Sequence, residues 1–206
     1  MNPIDLFGNT PAPDGKEVIV QNGSYLYLRA FLSKTEADLQ FEILKKSIEW
    51  KQEGMQMYGK EVLFPRLMAW YGEPHTRYRF SGRTFEPLPW TSELLDIKQG
   101  IEPICKTTFN SVLLNYYRNG QDSMGWHADD EKELGRNPII ASLNLGAARK
   151  FQLKHNETKE KIELILEHGS LLIMQGEMQH FWKHQVPKQK EVAGERINLT
   201  FRWIYS

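Results

Sequence analysis

The sequence predicts a mainly-β fold of the α+β class, a sandwich or jelly roll with two N-terminal helices packed on one sheet. The chain has 206 residues, enough for one ordinary domain with a substantial core. Two segments in its first half show helical periodicity. After Thr107 short β-prone runs follow one another, separated by Gly, Asn, Asp and Pro, as is typical of sandwiches and jelly rolls.

The first helical segment starts with a capping-box pattern. Ser33 can cap the first turn, and Glu36 stands three residues later, where its side chain can reach back to the cap. Apolar residues then recur at helical spacing from Ala37 to Ile48. We therefore predict a helix from about Lys34 to Trp50.

The second helical segment runs from Thr91 to about Cys105. Its apolar residues share one face, and they are Leu94, Ile97, Ile101 and Ile104. Gly100 and Pro103 both disfavour helix, so they weaken the predicted end of this segment.

Six later segments are predicted to be strands, namely Ser111–Tyr117, Ile139–Leu145, Lys150–Leu153, Lys161–Leu166, Ser170–Met174 and Arg196–Tyr205. The last one alternates strictly, with apolar residues at 197, 199, 201 and 203 and polar residues at 196, 198, 200 and 202. A period of two places all the polar residues on one face. This face either lies in water or points into the mouth of a barrel, where two guanidinium groups could bind carboxylates.

Composition and charge exclude several classes of protein. Lys plus Arg and Asp plus Glu both number 26, so neither a polybasic arm nor an acidic tail organises the chain. The single cysteine, Cys105, excludes a disulfide framework within the chain and a cysteine-rich zinc site. No signal peptide or membrane span is evident, and residues 1–15 resemble a flexible arm. We expect a monomer without a membrane partner, in a bacterial cytosol or, in a eukaryote, the nucleus.

Positive charge is nevertheless concentrated in two places. Residues 60–83 contain five Lys or Arg and two Glu, and residues 183–190 contain three Lys and no acid. Such local basic rims could contact phosphates without making the whole protein basic.

A metal site is indicated by the triplet His127-Ala-Asp129. In an extended segment, residues i and i+2 point the same way, so both side chains can meet one ion. Two histidines and a carboxylate form the facial triad of non-haem Fe(II) oxygenases. From spacing alone the third ligand stays open, the candidates being His155, His168, His180 and His184.

The chain resembles the AlkB family of Fe(II)/2-oxoglutarate dioxygenases, and most of all the subgroup of the human DNA-repair homologues. The resemblance extends from about residue 55 to Tyr205. It rests on seven ordered motifs: PRLMAWYG at 65–72, YRFSG at 78–82, FNSVLLNYYRNG at 109–120, WHADDE at 126–131, PIIAS at 138–142, HQVP at 184–187 and RINLTFR at 196–202. It implies a double-stranded β-helix, with a single domain at 16–206, a core at about 108–206 and a nucleotide-recognition lid at about 55–85.

The resemblance also implies the roles of individual residues. His184, in the HQVP motif, becomes the third iron ligand beside His127 and Asp129. Arg196 matches the arginine that pairs with the distal carboxylate of 2-oxoglutarate. The other cosubstrate residues implied are Asn115, Tyr117 and Asn198. Arg202 matches a second arginine that contacts the ligand carboxylate.

The implied reaction is oxidative demethylation of N-alkylated bases in DNA, such as 1-methyladenine and 3-methylcytosine. Fe(II), 2-oxoglutarate and O2 take part, and formaldehyde, succinate and CO2 are released. A flipped base would stack on Phe80, with the His127 ring opposite. Its edge would meet Tyr78, Ser81 and Asp130, and Tyr58 could fill the hole that the base leaves.

Several alternatives stay open at this point. The same chemistry could act on RNA or on a protein, and the preference for single or double strands is not fixed by the motifs. A catalytically silent nucleic-acid-binding jelly roll is a further alternative, against which the intact set of His127, Asp129, His184, Arg196 and Arg202 speaks. A cupin-like small-molecule binder would fit the strands and the metal but not the lid motifs.

Overall fold

The computed structural model describes residues 15–57, 60–74, 76, 78–80 and 83–205. Sixteen strands and three α-helices occur in this part of the chain. In its first half they are β1 (Glu17–Val20), β2 (Gly23–Leu28), α1 (Lys34–Ser47), β3 (Gly54–Met57), β4 (Lys60–Leu63), β5 (Leu67–Gly72), β6 (Tyr78–Phe80), β7 (Arg83–Phe85), β8 (Leu88–Pro89) and α2 (Ser92–Cys105). In its second half they are β9 (Ser111–Tyr117), β10 (Met124–His127), β11 (Ile140–Gly146), β12 (Arg149–His155), β13 (Lys161–Leu166), β14 (Ser170–Gln175), α3 (Met178–Phe181), β15 (Trp182–Val186) and β16 (Arg196–Arg202).

Two sheets face each other and form the jelly roll. The major sheet has eight strands in the order β1-β2-β14-β11-β16-β9-β5-β8, and the minor sheet has four in the order β10-β15-β12-β13. Separate hairpins are formed by β3 with β4 and by β6 with β7. The predicted mainly-β architecture is thus confirmed, with the sandwich-or-jelly-roll alternative decided for the jelly roll.

Helix α1 starts as predicted and ends earlier. The Ser33 side chain accepts from the Glu36 N–H, and the Glu36 carboxylate accepts from the Ser33 N–H, so both halves of the capping box are present. The helix ends at Ser47 because Ile48 has extended backbone angles. The predicted end at Trp50 is therefore wrong. Trp50 instead packs its ring 5.2 Å from that of Tyr116 in the sheet, a contact that sequence periodicity does not register.

Helix α2 begins one residue later than predicted, at Ser92, because Thr91 is its N-cap and accepts from the Leu94 N–H. It continues through Pro103 to Cys105 and ends where Lys106 adopts a left-handed conformation with φ of 52°. Pro103 is tolerated because the buried Leu94, Ile97 and Ile101 anchor the preceding turns in the core.

The major sheet separates two cores. On its outer face, apolar side chains of α1 and α2 pack on those of β9, β11 and β16. On its inner face, a second cluster fills part of the space between the two sheets, around Phe151, Met174 and Trp182. The helices thus pack on one sheet, as the sequence predicted. No helix in the described ranges has the length and apolar character that crossing a membrane requires.

The last strand, β16, differs from the prediction in its end, and its burial shows where its polar face points. It ends at Arg202, not at Tyr205, because the Asn110 side chain takes over both backbone groups of Ile204 through hydrogen bonds of 2.7 Å. Trp203 consequently leaves the alternation and is 41% exposed. All seven residues of β16 are buried, so its polar face points inward and the interpretation of a water-facing strand is wrong.

Candidate metal centre

The structure brings His127, Asp129 and His184 together. His127 ends the edge strand β10, and its direct partner across the ladder is His184 in β15. Asp129 follows two residues after His127. One ligand atom from each of the three lies within 4.8 Å of the others, a separation that a single ion can bridge. Asp129 and His184 are buried, and His127 is half-buried.

Asp129 is held from two sides. The Arg202 guanidinium donates to both carboxylate oxygens, Nη2 at 2.7 Å and Nε at 3.2 Å, in the bidentate geometry typical of strong pairs. The backbone N–H of Asp129 donates to Oε1 of the buried Gln179 at 3.0 Å. The carboxylate therefore has a fixed position before any ion arrives.

The His127 ring is also oriented by the protein. Its Nδ1 lies 2.9 Å from the carbonyl oxygen of Gly125. A carbonyl only accepts, so Nδ1 carries the proton and Nε2 presents its lone pair. Metal-bound histidines commonly have such a support on the other ring nitrogen.

The protonation states suit a cation. Burial raises the pKa of the Asp129 carboxyl, but Arg202 and the two nearby imidazoles outweigh it and hold the pKa at about 2. Burial lowers the pKa of His184 to about 3, and proximity to His127 acts in the same direction. At neutral pH the site therefore offers an anionic carboxylate and a neutral buried imidazole, the forms that bind metal.

A cavity of about 420 Å³, including its open mouth, adjoins these three residues. The predicted cosubstrate residues all line it, and they are Asn115, Tyr117, Arg196, Asn198 and Arg202. Their common location follows from strand register, since Arg196 pairs with Tyr117 and Asn198 with Asn115 across β16 and β9. Alternate residues of two adjacent strands thus present one continuous polar surface to the cavity.

Arg196 belongs to this polar surface and is only 1% exposed. Its Nη2 donates to Asn144 Oδ1 at 2.6 Å, and its Cζ lies 4.9 Å from the centre of the Tyr117 ring. Nε and Nη1 have no hydrogen-bond partner within the described part of the chain. A buried cation with two unused donors is costly unless an anion completes it.

Sequence reasoning missed four buried residues that support the site: Arg66, Asn144, Arg149 and Gln179. Arg66 Nε donates to Asn115 Oδ1 at 2.7 Å and so orients that amide. Asn144 follows Ser142 at a spacing of two, so alternation within β11 could have revealed it. For Arg66, Arg149 and Gln179 the sequence shows only a polar residue beside apolar ones. Such residues usually lie at the surface, so the pattern does not indicate burial.

Arg149 joins two loops, one at residues 119–122 and one at residues 187–189. Its guanidinium donates to the carbonyl oxygens of Asn119, Asp122 and Pro187 at 2.8–3.2 Å, and to Gln189 Oε1 at 3.3 Å. Its Cζ also lies 5.5 Å from the Tyr117 ring, so that ring contacts two guanidinium groups, those of Arg149 and Arg196.

The other candidate histidines have different partners. His155 is fully buried and bonded to Asn22. His168 accepts from the Gly146 N–H and pairs with Asp38. His180 accepts from the Asn137 N–H. None of the three belongs to the triad of ligand atoms.

The predicted base-recognition residues are only partly covered by the structure. Tyr78 and Phe80 lie in β6, which pairs with β7 in a hairpin, and the structure describes only their backbone. Tyr58 and Ser81 lie outside the described residues. Asp130 is exposed and directly follows Asp129.

Comparison with known proteins agrees with this geometry. Residues 24–202 match the model of the 2OG-Fe(II) oxygenase superfamily. The chain is 43% identical to the human "Alpha-ketoglutarate-dependent dioxygenase alkB homolog 3" over 85% of its own length and 64% of that protein. It is 36% identical to the human "DNA oxidative demethylase ALKBH2", covering 96% of this chain and 79% of that one. The chain thus spans less than two thirds of the first of these relatives.

The fold alone is shared with more distant solved structures. That of OsALKBH1 has a TM-score of 0.64 at 19% identity and covers 91% of this chain and 100% of that chain. A prolyl hydroxylase from Trichoplax adhaerens, in complex with a hypoxia inducible factor peptide, has a TM-score of 0.59 at 14% identity, covering 88% of this chain and 84% of that chain. From the superfamily match and the 36% identical relative, the chain belongs to the 2OG-Fe(II) oxygenase superfamily and, within it, to the AlkB family.

Proposed function

We propose that this protein is an Fe(II)/2-oxoglutarate-dependent dioxygenase that oxidatively demethylates N-alkylated bases in DNA. The observation that carries the proposal is the presence, in the lining of one cavity, of the His127–Asp129–His184 cluster and of Arg196, which has two buried nitrogens without a hydrogen-bond partner among the described residues. A catalytically silent nucleic-acid-binding module has no need for both features.

The donor set fits Fe(II). Two imidazoles and one carboxylate provide three ligands on one side of an ion, which leaves positions for a cosubstrate and O2. The carboxylate is ionised and His184 is neutral, so neither must lose a proton at neutral pH. Arg202 and Gln179 keep Asp129 in place, and the contact of His127 Nδ1 with the Gly125 carbonyl leaves Nε2 of that ring as the atom that would bind the ion.

The polar lining of the cavity suits the carboxylates of 2-oxoglutarate. Its distal carboxylate would occupy the unused Nε and Nη1 donors of Arg196, which removes the cost of burying that cation. Tyr117 and Asn115 lie on the neighbouring strand and would complete the binding of the cosubstrate. Asn198 is fixed by hydrogen bonds to Ser142 Oγ at 2.8 Å and to the Leu143 carbonyl at 3.1 Å, which keeps this wall rigid.

When bound, the iron, 2-oxoglutarate and O2 supply the oxidising power that hydroxylates an N-methyl carbon. The protein contributes position and exclusion of water. Met124, Phe151, Met174 and Val186 supply apolar wall to the cavity, which should limit side reactions with solvent. The hydroxymethyl product then releases formaldehyde and leaves the repaired base.

The nucleobase substrate is supported by the relatives, one of which is named a DNA oxidative demethylase. A base must leave the duplex or come from a single strand to reach a buried site. We propose that the segment at about residues 55–85 forms the lid, with Phe80 stacking on the base and Tyr78, Ser81 and Asp130 at its edge. Tyr58 would fill the vacated position in a duplex. An exposed carboxylate at Asp130 suits a base made cationic by N-methylation. An intracellular location follows from DNA as the substrate.

The test is a demethylation assay with purified protein, Fe(II), 2-oxoglutarate and O2. Single- and double-stranded oligonucleotides carrying 1-methyladenine or 3-methylcytosine are compared with methylated RNA and a methylated peptide. We expect stoichiometric formaldehyde, succinate and repaired base from DNA. Product from RNA or peptide alone would replace the DNA assignment, and succinate without any methylated substrate consumed would overturn demethylation.

A further inference from the structure

Three lysines stand directly opposite one another on the outer face of the minor sheet. Lys154 in β12 pairs with Lys161 in β13 on one side and with Lys183 in β15 on the other. Lys161 and Lys183 are exposed and Lys154 is half-exposed. We call these three residues the lysine ladder. Adjacent strands are about 4.8 Å apart, so it presents three positive charges over about 10 Å.

Such an arrangement is unfavourable for folding, because like charges directly opposite on a sheet repel. A lysine on an edge strand can be explained as protection against aggregation, and this accounts for Lys161, since β13 is an edge. It does not account for Lys154 and Lys183, which lie on the two internal strands of this sheet.

The neighbouring acids do not neutralise the ladder. In the next row, Gln185 donates to Gln152 at 2.6 Å, and Gln152 donates to the Glu163 carboxylate at 2.7 Å. The Glu163 carboxylate is also 3.6 Å from Lys150 Nζ, so both of its contacts are with residues outside the ladder. Glu157 and Glu160 lie in the exposed β12–β13 turn, and none of the three ladder lysines forms an ion pair with any described residue.

The ladder lies behind the proposed metal site. Lys183 directly precedes His184, and alternation sends the two side chains to opposite faces of β15. The minor sheet ends at β10, which carries His127 and the 41% exposed Trp126. Trp126 and the ladder thus belong to the same sheet, Trp126 on its edge strand and the ladder on the three strands that follow it.

We propose that the lysine ladder is a phosphate-binding track that holds the part of a nucleic acid strand flanking the target base, with Trp126 as a stacking platform at the sheet edge. Regularly spaced cations beside an exposed aromatic ring are the combination that binds single strands without reading sequence. This inference rests on the proposed function for its choice of nucleic acid over an acidic protein.

The experiment measures binding of an unmodified single strand of about 15 nucleotides, a length within the usual range of single-strand sites, by fluorescence anisotropy at increasing salt. The ladder variant carries Lys154→Gln, Lys161→Gln and Lys183→Gln. The matched control carries Lys16→Gln, Lys34→Gln and Lys46→Gln, which changes net charge equally. Lys34 and Lys46 are exposed on α1, beyond the major sheet from the ladder.

We expect the ladder variant to bind about tenfold more weakly at low salt. The slope of log K against log salt should fall by about 2, since each phosphate that a lysine no longer neutralises removes about 0.7. The control variant should keep the wild-type slope. Turnover of a methylated nucleoside, which has no flanking phosphate, should stay close to that of the wild type for both variants.

Equal slopes for the ladder and control variants would overturn the proposal. The proposal would also be overturned if the wild-type protein bound polyglutamate, lost that binding in the ladder variant, and did not bind the oligonucleotide. The binding measurement needs no catalysis, so it tests the lysine ladder even if the protein turns over no methylated base. Absence of turnover would count against the proposed function alone.

Discussion

The two faces of β16 are almost equally buried and chemically opposite. Ile197, Leu199 and Phe201 are fully buried against the helices, whereas Arg196 and Arg202 are 1% and 8% exposed on the cavity side. The outer face gains stability from apolar contact. The inner face keeps cations and amides out of water, which costs stability until a ligand or a partner residue completes them. Alternate residues of β16 thus have different tasks: those facing the helices stabilise the fold, and those facing the cavity provide the polar groups proposed to bind ligand.

The largest effect should come from a residue that belongs to both binding and the inner polar network. Replacing Asp129 with Ala removes a proposed metal ligand, so turnover should fall more than about a thousandfold. Arg202 also loses its carboxylate partner, which should lower the free energy of unfolding by about 3 kcal/mol. Metal titration and urea denaturation measure the two effects. Asp38→Ala on exposed α1 is the control, and nearly normal turnover in Asp129→Ala would show that the triad is misassigned.

On the outer face, Leu199→Ala should affect stability alone. The side chain is fully buried between sheet and helices, and its truncation should lower the free energy of unfolding by about 3 kcal/mol. Metal and 2-oxoglutarate affinities of the protein that remains folded should be unchanged, as judged by titration well below the melting temperature. A parallel loss of cosubstrate affinity would mean that the two faces are coupled.

On the inner face, Arg196→Met should weaken ligand binding and leave stability unchanged, the opposite of Leu199→Ala. Loss of the proposed carboxylate anchor should weaken 2-oxoglutarate binding about 100-fold, equivalent to about 3 kcal/mol. The free energy of unfolding of the ligand-free protein should not fall, because methionine fills similar space without a buried charge. Calorimetric titration and urea denaturation test this pair of outcomes. A large loss of stability with cosubstrate affinity intact would reverse the assignment of the two faces.

A smaller effect is expected one layer further from the ion, at Gln179. Gln179→Leu keeps the volume but removes the acceptor for the Asp129 N–H, so metal affinity should fall about tenfold. Gln40→Leu is a matched control, since Gln40 is equally buried and its Oε1 has no partner in the described chain. Gln179→Glu, which retains an acceptor, should restore part of the affinity. Equal metal affinities in the two Leu variants would reduce Gln179 to a packing residue.

The parts of this structure that sequence could predict are those set by local periodicity or by a resemblance in motifs. The capping box predicts the start of α1, and β9 and β13 have the predicted bounds. The motifs around His127, Asp129 and His184 indicate the three candidate ligands without knowledge of the fold. Local pattern could not supply the short strands, such as β10 with four residues, that exist only because a distant strand pairs with them.

Buried arginines were missed for a related reason. Arg149 interacts with residues 27 to 40 positions away in sequence, on two different loops. A guanidinium that satisfies backbone carbonyls in the interior has no local pattern that differs from a solvated one. Only the tertiary structure shows that Arg149 braces Tyr117, and that Arg66 orients Asn115.

The pairing of His127 with His184 has a kinetic consequence. β10 is short, lies at the edge of its sheet and has a single neighbour, so its opening should require less free energy than opening of β15. If the triad holds an ion as proposed, loss of that ion would begin with detachment of His127, while Asp129 and His184 stay behind in the interior. A bound metal should in turn stabilise the pairing of β10 with β15. Addition of Co(II) should therefore slow hydrogen exchange at the β10 amides far more than at the already protected amides of β16.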